Sequence, residues 1–529
     1  MKTLPTVLTA IDALAQANPD ARAILCGDRA LSYGGLSERS RRLAYGLSKL
    51  GVEPGDRVAI WLANRLEWIE TALACGRLGA IVVCANTRFR ALDLGDILER
   101  SAAKALLFWP GFPEAKHLDV LSNVEPRQVK SLKYVVTIDD DVGASRLASL
   151  SGKTFVAYER LLEQKYLRRS TVAPQDPWVL FTTSGTTQRP KFVMHSHTSV
   201  GGHAQDFARA HLFGHGTVLC VPHPVSGVLG FTPTFSALAA GAPVVLISKF
   251  DGAFIAAQML KHRVTNLSTI DQGLLTLLND AAGEPIFPDF RFAMFGALNA
   301  QPEDCIRIAD ARGFRCVGSY GMTEVHAGFT LQRVDGSPKE RAPGGGFAIS
   351  PKARMRIVDI ATRQALPAGQ IGELEISTPN IMLGYFRNEE ATRAAFTEDG
   401  FLRTGDSGFL LPDGSFRFIA RLGDTLRLSG FLVSPVEISS CVETHPSVLR
   451  CEVAGRKQEA AMKAIAFVIL KEGASFDPTS LTDFCRARLA AYKVPAKFVA
   501  IEAFPTTEGP NGPKVQRAKL REMAQELSV

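Results

Sequence analysis

The chain has 529 residues, 46% hydrophobic and 21% charged, an ordinary globular composition that excludes wholesale disorder, collagen-like repetition and a long coiled coil. At roughly 100 to 200 residues per domain it is too long for one core and predicts about three or four packed units. Lys and Arg number 60 against 53 Asp and Glu, a formal net charge of +7; the densest basic cluster, Lys514, Arg517, Lys519 and Arg521, suits a phosphorylated small molecule but is too thin for nucleic acid, which calls for a basic face with interleaved aromatics.

The nine cysteines are odd in number, scattered and never spaced Cys-x-x-Cys, which predicts reduced thiols in a cytoplasmic compartment, with neither a disulfide framework nor a zinc site. The N-terminus reads as no signal peptide, and the best apolar stretch, Ala72 to Ala85, is broken by Arg77, so no membrane span is expected.

In chain order, Pro54-Gly55-Asp56 opens a strand over Val58 to Trp61, followed by a helix over about Glu67 to Leu78 and a strand over Ala80 to Cys84. The alternation returns at Trp178 to Thr182, Thr217 to Val221, Pro243 to Ile247 and Phe254 to His262; strand and helix at this spacing predict parallel, doubly wound α/β layers. Between Ala353 and Arg421 the pattern changes to alternating strands with tight turns, with Pro412-Asp413-Gly414 marking a hairpin between Phe409-Leu410-Leu411 and Phe416 to Ile419. A smaller α/β pattern follows: a helix over Pro435 to Glu443, a strand over Ala464 to Leu470, a helix over Leu481 to Leu489 and a strand over Lys497 to Ile501. The expected architecture is a large N-terminal domain of doubly wound sheets with a β-rich subdomain, and a small mobile α/β C-terminal domain.

Thr182-Thr183-Ser184-Gly185-Thr186-Thr187-Gln188-Arg189-Pro190-Lys191 packs hydroxyls, a glycine and a lysine into one loop after a buried-looking strand. Amide and hydroxyl donors with one positive charge are what a polyphosphate needs. It is not a Walker A loop, and Gly152-Lys153-Thr154 fails as one because Leu147 stands where the first glycine belongs. Six of the ten histidines fall between His195 and His223, yet His195-Ser196-His197 lacks the His-Glu-x-x-His spacing, paired cysteines or clustered carboxylates of a metal site; capping and packing are the expected roles.

Further on come Ser319-Tyr320-Gly321-Met322-Thr323-Glu324, Arg403-Thr404-Gly405-Asp406, Arg421 with Gly430, and Asn511-Gly512-Pro513-Lys514. In this order the set resembles the adenylate-forming (AMP-binding) superfamily of acyl- and aryl-CoA synthetases, luciferases and peptide-synthetase adenylation domains, over nearly the whole chain. The resemblance implies an AMP-binding domain over residues 1–421 and a mobile domain over 422–529 that carries the catalytic lysine. It implies ATP, Mg²⁺ and coenzyme A as cofactors and a small carboxylic acid as substrate. By the same resemblance, Thr183, Ser184, Gly185, Thr186, Thr187, Gln188 and Lys191 hold the β- and γ-phosphates. Thr323 contacts the α-phosphate, and Glu324 holds the metal. Tyr320 stacks on adenine, with Ser319, Gly321 and Met322 beside it, and Gly296, Ala297 and Leu298 line the adenine and acyl pocket. Asp406 accepts the ribose hydroxyls next to Arg421; Lys514 bridges carboxylate and α-phosphate from a turn-rich loop; the segment at Gly430 serves thioester formation after domain rotation.

Four positions depart from the family pattern: Gln188 stands where glycine is usual in the phosphate loop, Gly423 at the hinge position, Pro513 before the lysine, and His223 one place early in the acyl-gate motif. The stretch from Ser226 to Phe235 carries no Asp or Arg, which favours an apolar acid, fatty, alicyclic or aromatic, over an amino acid. The implied activity is an ATP-dependent acid:CoA ligase. An acyl-AMP ligase serving a carrier protein and a catalytically weak adenylate-binding protein are the alternatives, and a homodimer is left open.

Overall fold

Val58 to Trp61 and Ile81 to Cys84 are continuous apolar runs, and a strand with no polar face must be covered on both sides. In the computed structural model they lie in the middle of a sheet whose order is Gly384–Tyr385, Phe192–Ser196, Pro177–Thr182, Ile81–Cys84, Arg57–Trp61, Ala105–Phe108, Tyr134–Thr137, Thr154–Ala157. Its strands are parallel except at the first two pairings, which are antiparallel. The structure describes residues 6–113, 117–139, 147–163, 165–167, 172–183, 190–281, 287–296, 302–422, 426–428, 431–433, 435–458, 461–489, 493–509 and 512–527.

This sheet belongs to the larger of two units, which takes in the chain as far as 184, then 190–353 and 378–394. A second sheet of the same unit runs Gly345–Ala348, His326–Leu331, Cys316–Met322, Phe292–Gly296, Asn266–Ile270, Leu219–Val221, Val244–Leu246, Arg22–Cys26, Arg29–Ser32. Its central strands, from Cys316–Met322 to Arg22–Cys26, are parallel, as the alternating pattern predicts. The helix predicted over 67–78 is Leu66–Leu78, and that predicted over 254–262 is Gly252–Lys261.

Aromatic side chains fill this unit's core. Trp178 donates Nε1–H to the Ala72 carbonyl at 2.9 Å and stacks on His197 with ring centroids 5.1 Å apart. Phe231 and Phe235, from helix Val228–Ala239, meet Trp178 edge-on and each other at 4.3 Å. Both are essentially inaccessible, at 1% and 0% exposure, so these two members of the stretch expected to read the acid are core residues instead. Truncating either to alanine would cost about 3–5 kcal/mol.

The smaller unit holds 354–377 and the chain from 395 onward. Its antiparallel strands run Arg354–Val358, Gly372–Ser377, Leu402–Leu410, Phe416–Arg421. The Asp-Gly hairpin forms, but with a loop longer than two residues: Leu411 N–H donates to Ser415 O at 2.8 Å, and Asp413 accepts from the Ser415 amide. Further on, helix Pro435–Glu443 and strand Lys497–Ala500 lie where the sequence puts them, while the helix expected from Leu481 begins at Pro478 because Asp477 caps its first turn. Strand Val448–Gln458, paired along its length with Ala461–Leu470, was not predicted. Its signal was an alternation: Cys451 and Val453 are buried, while Arg450 is exposed and Glu452 half-buried. Among the described residues no helix is long and apolar enough to cross a membrane.

Burial pushes His117, His195, His197 and His203 down to about 4 and His211 to about 3. The unfolded chain, with histidine near 6.5, therefore binds more protons between pH 6.5 and 4, and each such group removes up to about 1.4 kcal/mol of stability per pH unit as the pH falls through that window. The melting temperature should be nearly level from pH 8 to 7 and fall steeply from 6.5 to 4.5. His211 stacks on Phe207 at 3.7 Å, and His211→Phe should make that fall shallower by one proton equivalent. A level profile through the acid window, or an unaltered slope in the variant, would contradict this account.

Candidate active site

The phosphate-loop candidate sits between two antiparallel strands, Pro177–Thr182 and Phe192–Ser196. Its neck is closed by Thr183 N–H to Lys191 O at 3.0 Å and by Lys191 N–H to Thr183 Oγ1 at 3.2 Å. Ser184, Gly185, Thr186, Thr187 and Gln188 lie outside the described residues. Lys191 Nζ is 4.6 Å from the centre of the Tyr385 ring, a cation–π contact that places its charge at the loop mouth.

Strands Cys316–Met322 and His326–Leu331 form a tight hairpin whose turn is Thr323-Glu324-Val325. Gly321 is obligatory at its base, because a Cβ there would lie 2.7 Å from the Gly328 nitrogen and the His326 carbonyl oxygen. Ser319 Oγ donates to Phe295 O at 3.2 Å, and Tyr320, 8% exposed, directs its hydroxyl toward Met322 Sδ. Gly296 ends its strand in register with Ser319; Ala297 and Leu298 lie outside the described residues.

Three hydrogen bonds fix the Thr323–Glu324 turn. His195 Nε2 lies 2.8 Å from Thr323 O, Met382 N–H donates to Glu324 O at 2.9 Å, and Tyr385 Oη–H donates to Glu324 Oε1 at 2.8 Å. Glu324 is buried, and among the described residues Tyr385 is the hydrogen-bond partner of its carboxylate. Among the described residues no group of three or more His, Cys, Asp and Glu side chains could hold a metal. One fixed carboxylate fits Mg²⁺, a hard ion that takes its remaining ligands from phosphates and water. His195 and His197 diverge, the first toward Thr323 and the second onto Trp178. His223 is buried and 3.0 Å from Thr269 Oγ1.

In the smaller unit Asp406 and Arg421 are register partners on neighbouring strands, with Arg421 Nε 2.9 Å from Asp406 Oδ1. Asp406 is buried and Arg421 exposed. Gly405 adopts a left-handed φ of 69°, a conformation glycine tolerates without strain, while its amide donates to Glu373 Oε1 and its carbonyl accepts from Leu422 N–H. Gly423 and Gly430 lie outside the described residues. The turn-rich loop expected to carry Lys514 is instead a β-hairpin, Thr506–Gly509 with Gly512–Val515, in which Lys514 faces Thr507. The run of glycine and proline concealed a strand pair whose registry depends on main-chain bonding; the Lys514 side chain is outside the described set.

The sequence left Tyr385, His195, Ser199 and His326 unassigned to this site. Tyr385 stands 61 positions from Glu324, and His195 stands 128 from Thr323, so no local pattern connects them.

A hairpin closed between Thr183 and Lys191, joined through Tyr385 to a buried carboxylate turn within one unit, fits a nucleotide-using α/β enzyme. The AMP-binding enzyme family matches residues 11–386, and the AMP-binding enzyme C-terminal domain matches 437–509. The chain belongs to the AMP-binding enzyme family. A relative from Mycobacterium tuberculosis, 3-[(3aS,4S,7aS)-7a-methyl-1,5-dioxo-octahydro-1H-inden-4-yl]propanoyl:CoA ligase, is 30% identical over 98% of this chain and 99% of its own. The long-chain-fatty-acid–CoA ligase FadD13 of the same species is 28% identical over 94% of this chain and 93% of its own. The crystal structure of ATP-bound MatB from Rhodopseudomonas palustris superposes with a TM-score of 0.83 at 25% identity, covering 99% of both chains.

Tyr385→Phe removes the hydroxyl on Glu324 and keeps the ring under Lys191. The variant should need about tenfold more Mg²⁺ for half-maximal activity, the worth of one charge-assisted hydrogen bond, with its melting temperature within a few degrees of wild type. An unchanged Mg²⁺ titration would show that Tyr385 does not set the carboxylate.

Proposed function

We propose that the protein is an AMP-forming acid:CoA ligase that joins an apolar carboxylic acid to the α-phosphate of ATP, releases pyrophosphate and passes the acyl group to coenzyme A. The observation that carries the reading is the Glu324 carboxylate, buried and fixed on one oxygen by Tyr385, whose ring borders Lys191 at the neck of the phosphate-loop hairpin. Carboxylate and triphosphate repel each other, so the site must neutralise both the attacking and the leaving group.

In this reading the loop from Thr183 to Lys191 holds the β- and γ-phosphates, and Thr323 contacts the α-phosphate. Glu324 is the protein's ligand to Mg²⁺, which supplies charge neutralisation at the phosphates. Tyr320 stacks on adenine within the segment Ser319 to Met322, against Gly296, Ala297 and Leu298. Asp406, beside Arg421, accepts the ribose hydroxyls. Lys514 bridges the carboxylate and the α-phosphate in adenylation; residues 422–529 then turn about Gly423 and bring Gly430 to the adenylate for attack by the CoA thiol. No protein thiol is required, and burial pushes the thiols of Cys75, Cys84, Cys220, Cys305, Cys316, Cys451 and Cys485 up, away from the reactive thiolate.

An apolar acid is supported by the lack of charged side chains from Ser226 to Phe235 and by the fatty-acid and alicyclic propanoyl substrates in the names of the mycobacterial relatives. The reading places the enzyme in the cytoplasm without a nucleic-acid partner, and sedimentation would decide whether it is a dimer. The direct test is a screen of apolar acids with ATP and Mg²⁺: pyrophosphate should appear with the correct acid and AMP should turn over only when CoA is added. Pyrophosphate without CoA-dependent AMP release would point to carrier-protein loading, and no pyrophosphate with any acid to an adenylate-binding protein.

Lys514→Ala should slow acyl-AMP formation by about 30- to 1000-fold, the two to four kcal/mol of a lost electrostatic stabiliser. Thioester formation from preformed acyl-AMP should keep its rate. Equal loss in both half-reactions, measured in single turnovers, would contradict a role for Lys514 confined to adenylation.

A further inference from the structure

The Thr323–Glu324 turn does not end at its own hydrogen bonds. A row of buried polar side chains extends from it into helix His197–Ala210: His195 Nε2 lies 2.8 Å from Thr323 O, His195 Nδ1 lies 3.0 Å from Ser199 Oγ, and Ser199 Oγ lies 3.0 Å from His326 Nε2. The His195 and His326 rings are 3.9 Å apart, and His203, 4.7 Å beyond His326, reaches Ala327 O through Nε2 at 2.9 Å. His195, Ser199, His203 and His326 are all buried.

The chemistry of the groups sets the direction of every bond. A carbonyl oxygen only accepts, so His195 carries its proton on Nε2 and donates to Thr323. Its Nδ1 is then an acceptor, filled by the Ser199 hydroxyl proton. The Ser199 oxygen in turn accepts from His326 Nε2–H. His326 also has a left-handed φ of 70°, which costs a non-glycine residue of order 1–3 kcal/mol and persists only where surroundings over-determine it. This strained residue lies immediately after the Thr323-Glu324-Val325 turn, so the relay holds the turn at its carbonyl and at its exit.

We propose that His195, backed by Ser199 and His326, is a positioning residue that fixes the Thr323–Glu324 turn for Mg²⁺·ATP by directing one hydrogen bond at the Thr323 carbonyl. It touches no substrate; it acts by setting where the Thr323 hydroxyl and the Glu324 carboxylate stand. The inference rests on the reading of Glu324 as the metal-holding carboxylate.

The test compares His195→Gln with His195→Asn, because the Gln amide can place an N–H where Nε2 stands, whereas Asn reaches only the Nδ1 position. Calorimetric binding of ATP is measured with Mg²⁺ and with EDTA, alongside melting temperature and the kcat and KM for ATP. His195→Asn should weaken ATP binding about tenfold with Mg²⁺ and less with EDTA, where only the Thr323 contact is affected, while His195→Gln stays within about threefold of wild type. Ser199→Ala, a smaller change that guards against misfolding at position 195, should fall between them. Glu324→Gln is the control for the underlying reading: binding equal to wild type would remove Glu324 from the metal and overturn both. If Glu324→Gln is impaired while His195→Asn and Ser199→Ala bind like wild type, the positioning role alone is overturned. Equal impairment of His195→Asn and His195→Gln overturns it as well, because packing would then matter and the directed hydrogen bond would not.

Discussion

A buried carboxylate held at a tight hairpin turn is the feature on which the candidate site of the larger unit depends. A buried carboxylate without partners is strongly penalised, and under the proposed function one paired on both oxygens would have none left for Mg²⁺. Among the described residues Tyr385 meets this need by donating to one oxygen, Oε1. The tight hairpin that carries Glu324 has a glycine at 321, a strained His326, a main-chain bond from Met382 and a side-chain bond from the His195 ring. Each sheet contributes: His195 and Tyr385 come from one, and Thr323 sits at a hairpin of the other.

Each unit carries its own charged groups at the candidate positions. The larger unit offers a loop neck with a lysine beside a tyrosine ring and a single carboxylate, a set that fits phosphates accompanied by a metal. The smaller unit offers a buried Asp406 ion-paired to an exposed Arg421, a set that fits hydroxyl groups. Around the latter, Arg356 and Arg363 pair with Glu375, and Arg363 also with Glu373. Glu373 then accepts the Gly405 amide and thereby holds the backbone from which Asp406 projects.

Much of the fold was legible in the sequence, and the reason is local. Parallel strands buried on both faces betray themselves as apolar runs; Thr182 to Lys191, Ser319 to Glu324 and Arg403 to Asp406 are short stretches that carry the family resemblance, while the roles given to their residues belong to the proposed function. What was illegible depends on distance or on context. Tyr385, His195, Ser199 and His326 act through contacts spanning from 61 to 128 positions. The stretch from Ser226 to Phe235 was read for its lack of charge, but an apolar side chain on an acid-reading segment and one in a core are identical in sequence; the packing of Phe231 and Phe235 on Trp178 places these two in the core. The hairpin under Lys514 escaped because glycine and proline signal turns more strongly than they signal strands.

The central claim is that the acid attacks the α-phosphorus of ATP. It is tested most directly by supplying an accepted acid with both carboxylate oxygens labelled with ¹⁸O and analysing the products of the complete reaction with CoA by mass spectrometry. The account predicts AMP carrying one atom of the label and pyrophosphate carrying none, because the bridging oxygen of the acyl-adenylate stays with AMP when the thiol takes the acyl group. Label in inorganic phosphate with ADP as the coproduct, or unlabelled AMP, would contradict it.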